Sequence, residues 1–379
     1  MKKVGLITFH SSINYGVYLQ AYALQSVINN LGFSAEIIDY NRMSEEIEYN
    51  RNKSVIYRII NFNDSIRALK LKAFRSTELS REREKKFADF SKKYFYLSKP
   101  INSYSELVIL KNEYDYYVCG SDQIWNPIYT KGNPAYFLAF ADKTKRVMYA
   151  PSYGIINLDM LKPYWKIYKK NILELHGLSV RETSGIKITE EISGLTPKLV
   201  VDPTLLLTSD EWIEIERKPS SIPKKYILFY VLGNDYKYEL LAKEIHKKSN
   251  LSIVTIPNSP IWDKKSTQYI QEYAGVDEFI YLIRNAEYVF TDSFHGVAFS
   301  TKFNKNFSAI KREDTKYSLF SRIEDYLQKI GLYDRCVTVG QCFNTPDEIL
   351  NNKVDYSKSN IELQNWIKES RDYLKDSLI

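Results

Sequence analysis

Cysteine is scarce, with three in 379 residues (Cys119, Cys336 and Cys342). An odd count with no close pair argues against a disulfide framework and excludes a cysteine-built metal site, so a reducing cytoplasm is the expected setting. No apolar run approaches the roughly 18–20 residues that a membrane helix requires. The apolar start, Val4 to Ile7, gives way after Phe9, too early for the core of a signal peptide. The sequence contains no internal repeat, no low-complexity tract, no GxGxxG and no zinc-finger spacing, which removes the usual marks of dinucleotide and nucleic-acid binding.

What remains is a soluble globular composition, 44% hydrophobic and 26% charged. The length exceeds one ordinary core, so two domains are expected. The net charge of +7 is unevenly placed. From Ile66 to Lys99 eleven basic residues face only Glu78, Glu82, Glu84 and Asp89. Phe87, Phe90 and Tyr94 recur there at helical spacing, giving a basic amphipathic helix. Such a face is usually solvated, and it can also meet an anionic membrane surface.

Along the chain, apolar runs alternate with helical stripes. Val4–Phe9 reads as a buried parallel strand. The polar loop His10–Gly16 follows, then a stripe of Leu19, Ala23, Val27 and Leu31 closed by Gly32. Ala35–Tyr40 reads as the next strand, the opening of a doubly wound sheet. Ligands sit beyond the carboxyl ends of such strands, which makes Asn14 and Gly16 candidates. Tyr114–Cys119 runs into Gly120, Ser121 and Asp122, a turn whose amides and carboxylate suit a pocket or a plain Asx turn. Arg181 ends another short strand, where its guanidinium can clamp an anion or pair with Glu182 or another acid on the surface.

Residues 215–225, with two prolines and little that is apolar, read as a linker between a domain at 1–214 and one at 226–379. The first would carry the basic helical insertion at about 55–100, and the last helix, Ile361–Leu374, would pack back on it. In the second half, Tyr226–Leu232, Leu251–Ile256, Tyr288–Thr291 and Phe307–Ile310 read as strands. The helix at Ser318–Ile330 carries Arg322. The strand at Tyr288 opens onto Asp292, Ser293, Phe294, His295 and Gly296, a helix start where amides and the helix dipole invite an anion. Simple capping by Asp292 or Ser293 is the plainer reading. The fold expected is α/β, two Rossmann-like doubly wound domains facing a cleft.

Six stretches in order resemble the polysaccharide pyruvyl transferase family. They are Asn14-Tyr15-Gly16, Gly120 to Pro127, Tyr149 to Gly154, Ser179 to Glu182, Asp202 to Leu206 and Thr291 to Gly296. The resemblance implies a fold like that of two-lobed GT-B glycosyltransferases. It implies transfer of the pyruvyl group of phosphoenolpyruvate onto two hydroxyls of a sugar, with phosphate released and no cofactor needed. Surface polysaccharide biosynthesis would be the setting, and the acceptor sugar lipid-linked or nucleotide-linked. Nucleic acid is not expected as a partner, and peripheral membrane contact would run through residues 66–99.

Histidine, with an ordinary pKa of about 6.5, can give and take protons near neutrality, so His295 is the expected acid and base. Arg181 is the expected clamp on the donor's carboxylate or phosphate, aided by Ser293, Phe294 and Gly296 at the helix start. Asn14, Gly16, Gly120, Ser121 and Asp122 would hold the acceptor, with Asp122 assisting its deprotonation. Family members often carry arginine two residues before the histidine, where this chain has Ser293. Arg312 and Arg322 are the candidates to supply that charge. A nucleotide-sugar glycosyltransferase and a non-catalytic glycan- or membrane-docking protein are the alternatives. The 14% aromatic content suits sugar handling and equally fills cores.

Overall fold

In a computed structural model the described residues are all but 42–77, 155–157, 234, 259–261, 263–265 and 313–319. The first part of the basic segment therefore lies outside them.

The described residues form two compact units, each built on a parallel sheet. In the first, strands β1 (Lys3–Ile7), β2 (Ser34–Ile37), β3 (Tyr116–Cys119) and β4 (Arg146–Met148) pair in the order β2-β1-β3-β4. Helix α1 (Tyr15–Asn30) connects β1 to β2. It starts where the Asn14 side chain accepts the Gly16 amide at 2.9 Å, and Gly32 follows its end at φ +90°, a conformation that glycine adopts without strain. Leu19, Ala23 and Val27, the stripe legible in the sequence, are buried. β5 (Ser179–Val180) and β6 (Lys198–Leu199) form a separate small ladder and are connected by helix α3 (Thr183–Ser193).

In the second unit β7 (Tyr226–Tyr230), β8 (Ser252–Thr255), β9 (Ile270–Gln271), β10 (Tyr288–Thr291), β11 (Phe307–Lys311) and β12 (Cys336–Thr338) pair in the order β12-β11-β10-β7-β8-β9, all parallel. Helices α4 (Lys237–Ser249), α5 (Val276–Asn285), α6 (Phe294–Lys302) and α7 (Ser321–Lys329) belong to it. β7 and β10 are buried at every position, as continuous apolar runs in a two-sided sheet should be.

The division between units falls at Leu207 and Thr208, not at 215–225. The stretch read as a linker is fastened inside the second unit. Trp212 is buried edge-on against Phe299, Arg284 pairs with Glu216, and Arg217 donates to Asp277 at 2.8 Å. A proline-rich polar stretch reads alike whether it is free or tied down by ion pairs. The basic helix α2 (Glu78–Tyr94) also departs from expectation, since its residues up to Ser91 belong to the second unit. Arg83 donates to the Pro257 carbonyl at 2.7 Å, and Lys86 donates to Glu278 at 3.0 Å. Part of the basic face is thus engaged within the fold. The end of the last helix, α8 (Ser357–Asp376), belongs to the first unit, where Trp366 donates to the Leu199 carbonyl. No helix among the described residues is long and apolar enough to cross a membrane.

Candidate active site

In the first unit the candidates gather beyond the carboxyl ends of β3 and β5. β3 is followed by Gly120 at φ +142°, and a Cβ there would lie 1.8 Å from the Tyr149 carbonyl oxygen. Only glycine lets the two segments approach so closely. Ser121 is fully buried, its amide donating to Gln20 at 2.9 Å and its hydroxyl to the Ala150 carbonyl at 2.7 Å. Its side chain holds the turn together, and the acceptor-binding role expected of it does not suit these bonds. Asn14 is exposed, with its carbonyl oxygen engaged as the cap of α1.

Arg181 pairs with acids, as the second of its two sequence readings has it, but in the interior and not on the surface. It is buried, 2.6 Å from Asp202, 3.5 Å from Asp122 and 3.7 Å from Glu182. Burial acts to lower its pKa, but these three carboxylates outweigh burial and raise it. One cation among three anions leaves a formal charge of −2, which disfavours a further anion at the guanidinium. The clamp expected of Arg181 gives way to a positioning role. Asp202 is itself fixed by the Thr204 amide and hydroxyl, and Glu182 accepts the Tyr153 amide at 3.0 Å. Asp122 is the most accessible carboxylate of the three, at 12% against 3% or less.

His10 and Asp39 escaped the sequence reading. They follow β1 and β2, and His10 is buried with one ring nitrogen 2.9 Å from Asp39 and the other 3.1 Å from the Thr8 carbonyl oxygen. The signal available was a histidine and an aspartate each just beyond a buried strand. The hydrogen bond from His10 holds Asp39 below the usual carboxylate range, while burial acts the other way. A depressed folded-state pKa contributes stability above the unfolded value of about 3.9, lost as pH falls through the folded value. Urea unfolding between about pH 5 and 3 should therefore show a steeper loss of stability in the wild type than in His10→Ala.

In the second unit β10 delivers the chain to the histidine turn. The Thr291 hydroxyl donates to the Tyr230 carbonyl at 2.6 Å and accepts the Ser293 amide at 3.1 Å. Ser293 is the cap of α6, its hydroxyl accepting the Gly296 amide at 3.5 Å. A Cβ on Gly296 would lie 2.3 Å from the Thr291 hydroxyl, so glycine is required for this tight entry. His295, in the first turn of α6, is 7% exposed and stands edge-on to Phe294 at 5.4 Å.

Asp292 is the anchor of the turn, a role that sequence reasoning left unassigned. Its carboxylate accepts the Leu232 amide at 2.6 Å, the Gly233 amide at 2.8 Å and the Arg312 Nε at 2.8 Å, and its carbonyl accepts Arg312 Nη2 at 3.2 Å. Arg312, at the end of β11, is thereby held beside the residue that precedes Ser293. Arg322 lies on α7 one turn before Tyr326, which contacts Phe294 at 5.8 Å and Thr301 at 2.6 Å. Positions i and i+4 share a helix face, so Arg322 stands on the side of α7 that packs against α6. The turn thus brings together a histidine, a helix N-terminus and a fixed arginine, a set suited to an anionic reactant that must be protonated.

The model of the polysaccharide pyruvyl transferase family matches residues 14–314. The chain belongs to that family. No curated protein matches it significantly. Its fold is similar to that of solved UDP-GlcNAc 2-epimerases. The one from Neisseria meningitidis bound to UDP-GlcNAc has TM-score 0.54 and 11% identity, covering 99% of each chain. The one from Methanocaldococcus jannaschii has TM-score 0.52 and 14% identity, covering 97% of this chain and all of that one. Identities this low carry the fold alone, an α/β arrangement with Rossmann-like units of GT-B type.

Proposed function

We propose that this family member transfers the pyruvyl group of phosphoenolpyruvate to two hydroxyls of one sugar, forming a cyclic ketal and releasing phosphate. The observation that carries the reading is the Asp292–Arg312 pair in the turn that leads to His295. It supplies, from β11, a cation near the position where Ser293 replaces the arginine common in relatives. Arg312 and Arg322 are the donor's cations in this reading. Arg181 holds Asp122 in place.

His295 protonates C3 of the donor, which leaves C2 electrophilic. The first sugar hydroxyl adds to C2 and gives up its proton to a base. The bond from C2 to the phosphate oxygen breaks, and the second hydroxyl adds. Two C–O bonds form, one breaks, C3 becomes a methyl carbon, and the remaining proton leaves with phosphate. In heavy water the ketal methyl should carry one solvent deuterium, with one phosphate released per ketal. Pooled lipid-linked and nucleotide-linked sugars can serve as acceptors for this assay. Phosphate release with no pyruvylated sugar would show a hydrolase instead.

Arg312→Ala should raise KM for phosphoenolpyruvate roughly tenfold or more, with a smaller change in kcat, because the lost contact is made with the bound ground state. Steady-state kinetics at saturating acceptor checks this.

A further inference from the structure

The first unit has a second recess, at the opposite end of its sheet from Asp122. Lys3 opens β1, Ser34 opens β2 and Tyr114 precedes β3, whereas Gly120 to Asp122 follow the carboxyl end of β3. β3 has four residues, and at about 3.3 Å per residue the two edges lie roughly 13 Å or more apart. The recess has a volume of about 500 Å³ and is lined by Phe33, Tyr96, Tyr114, Asn29, Glu36 and Lys3, among others. That volume is in the range of small-molecule sites.

The lining combines flat apolar faces with fixed polar groups. Tyr96 is 68% exposed, an unusual position for a ring of its size. Phe33 is steadied edge-on by Tyr116 at 6.4 Å. The Tyr114 hydroxyl donates to Glu36 Oε2, which fixes the carboxylate and engages one of its two oxygens. Burial, and then that bond, push the Tyr114 hydroxyl above its ordinary pKa and keep it a donor. Asn29 accepts the Ala35 amide at 2.8 Å through its carbonyl oxygen, which orients its NH2 group as a donor. A carboxylate acceptor, an amide donor and an ammonium beside aromatic faces match the hydroxyl edge and C–H face of a pyranose.

We propose that this recess is a non-catalytic subsite for a neutral hexopyranose, separate from the site of transfer. The choice of a sugar rests on the polysaccharide reading, and the aromatic and polar lining carries the rest. A glycan held here would keep the protein on its acceptor between turnovers.

Saturation-transfer NMR on the full chain without donor tests it, using methyl β-D-glucopyranoside, methyl β-D-galactopyranoside and methyl α-D-mannopyranoside as probes. At least one should receive saturation at its ring C–H protons. Tyr96→Ala and Glu36→Gln should each weaken its binding about tenfold, the effect of one aromatic contact or one charged hydrogen bond. Tyr96 is exposed, so Tyr96→Ala should keep the wild-type unfolding midpoint. Failure of all three probes to bind would overturn the subsite, as would binding untouched by both variants or lost only in Asp122→Asn. Since no donor is present, these outcomes are independent of whether phosphoenolpyruvate is turned over.

Discussion

Under the proposed transfer, His295→Ala should lower kcat by about 10²–10⁴-fold, the usual contribution of a positioned acid and base, while phosphoenolpyruvate should still bind within a few-fold of the wild-type affinity. The split follows from the geometry. His295 sits in the first turn of α6, whereas Arg312 is held to Asp292 by two hydrogen bonds that do not involve the imidazole. Removing the ring therefore leaves the anchored cation in place. Near-normal kcat in His295→Ala would remove it from proton transfer. Loss of donor binding alone would make it a binding group.

Arg181→Met destabilises the protein by about 3–5 kcal/mol in urea unfolding, because it strands buried carboxylates without their cation. Asp202 and Glu182 are almost wholly buried, and Asp122 is nearly so. Carboxylates deprived of the guanidinium take up protons more readily in the folded state. Their folded-state pKa values rise, so the variant regains part of its stability as pH falls. Arg181→Met combined with Asp202→Asn removes one buried charge and should recover part of the loss. A clamp that merely touched bound donor would cost little stability in the empty protein, so the size of the effect separates the two roles.

The contrast between Arg181 and Arg312 shows where the sequence ceased to be informative. The strands were legible because β7 and β10 are unbroken apolar runs, and the start of α6 because Ser293 is a capping residue. The histidine turn was visible for the same reason. Arg181 was placed at a strand end, but its partners lie at 122, 182 and 202, and their convergence depends on which strands lie side by side. His10 and Asp39 meet only because β1 and β2 are parallel neighbours. Arg312 was legible as a spare cation, while the bond that ties it to Asp292 was not. The docking of residues 208–217 was hidden too, since ion pairs such as Arg217 with Asp277 leave no periodic trace.

The most direct test of the donor is calorimetric titration of the purified protein with phosphoenolpyruvate, alongside UDP. The proposed chemistry predicts saturable phosphoenolpyruvate binding that weakens in Arg312→Ala, and no response to UDP. Binding of UDP with no response to phosphoenolpyruvate would contradict it and assign the histidine turn to a nucleotide-linked donor.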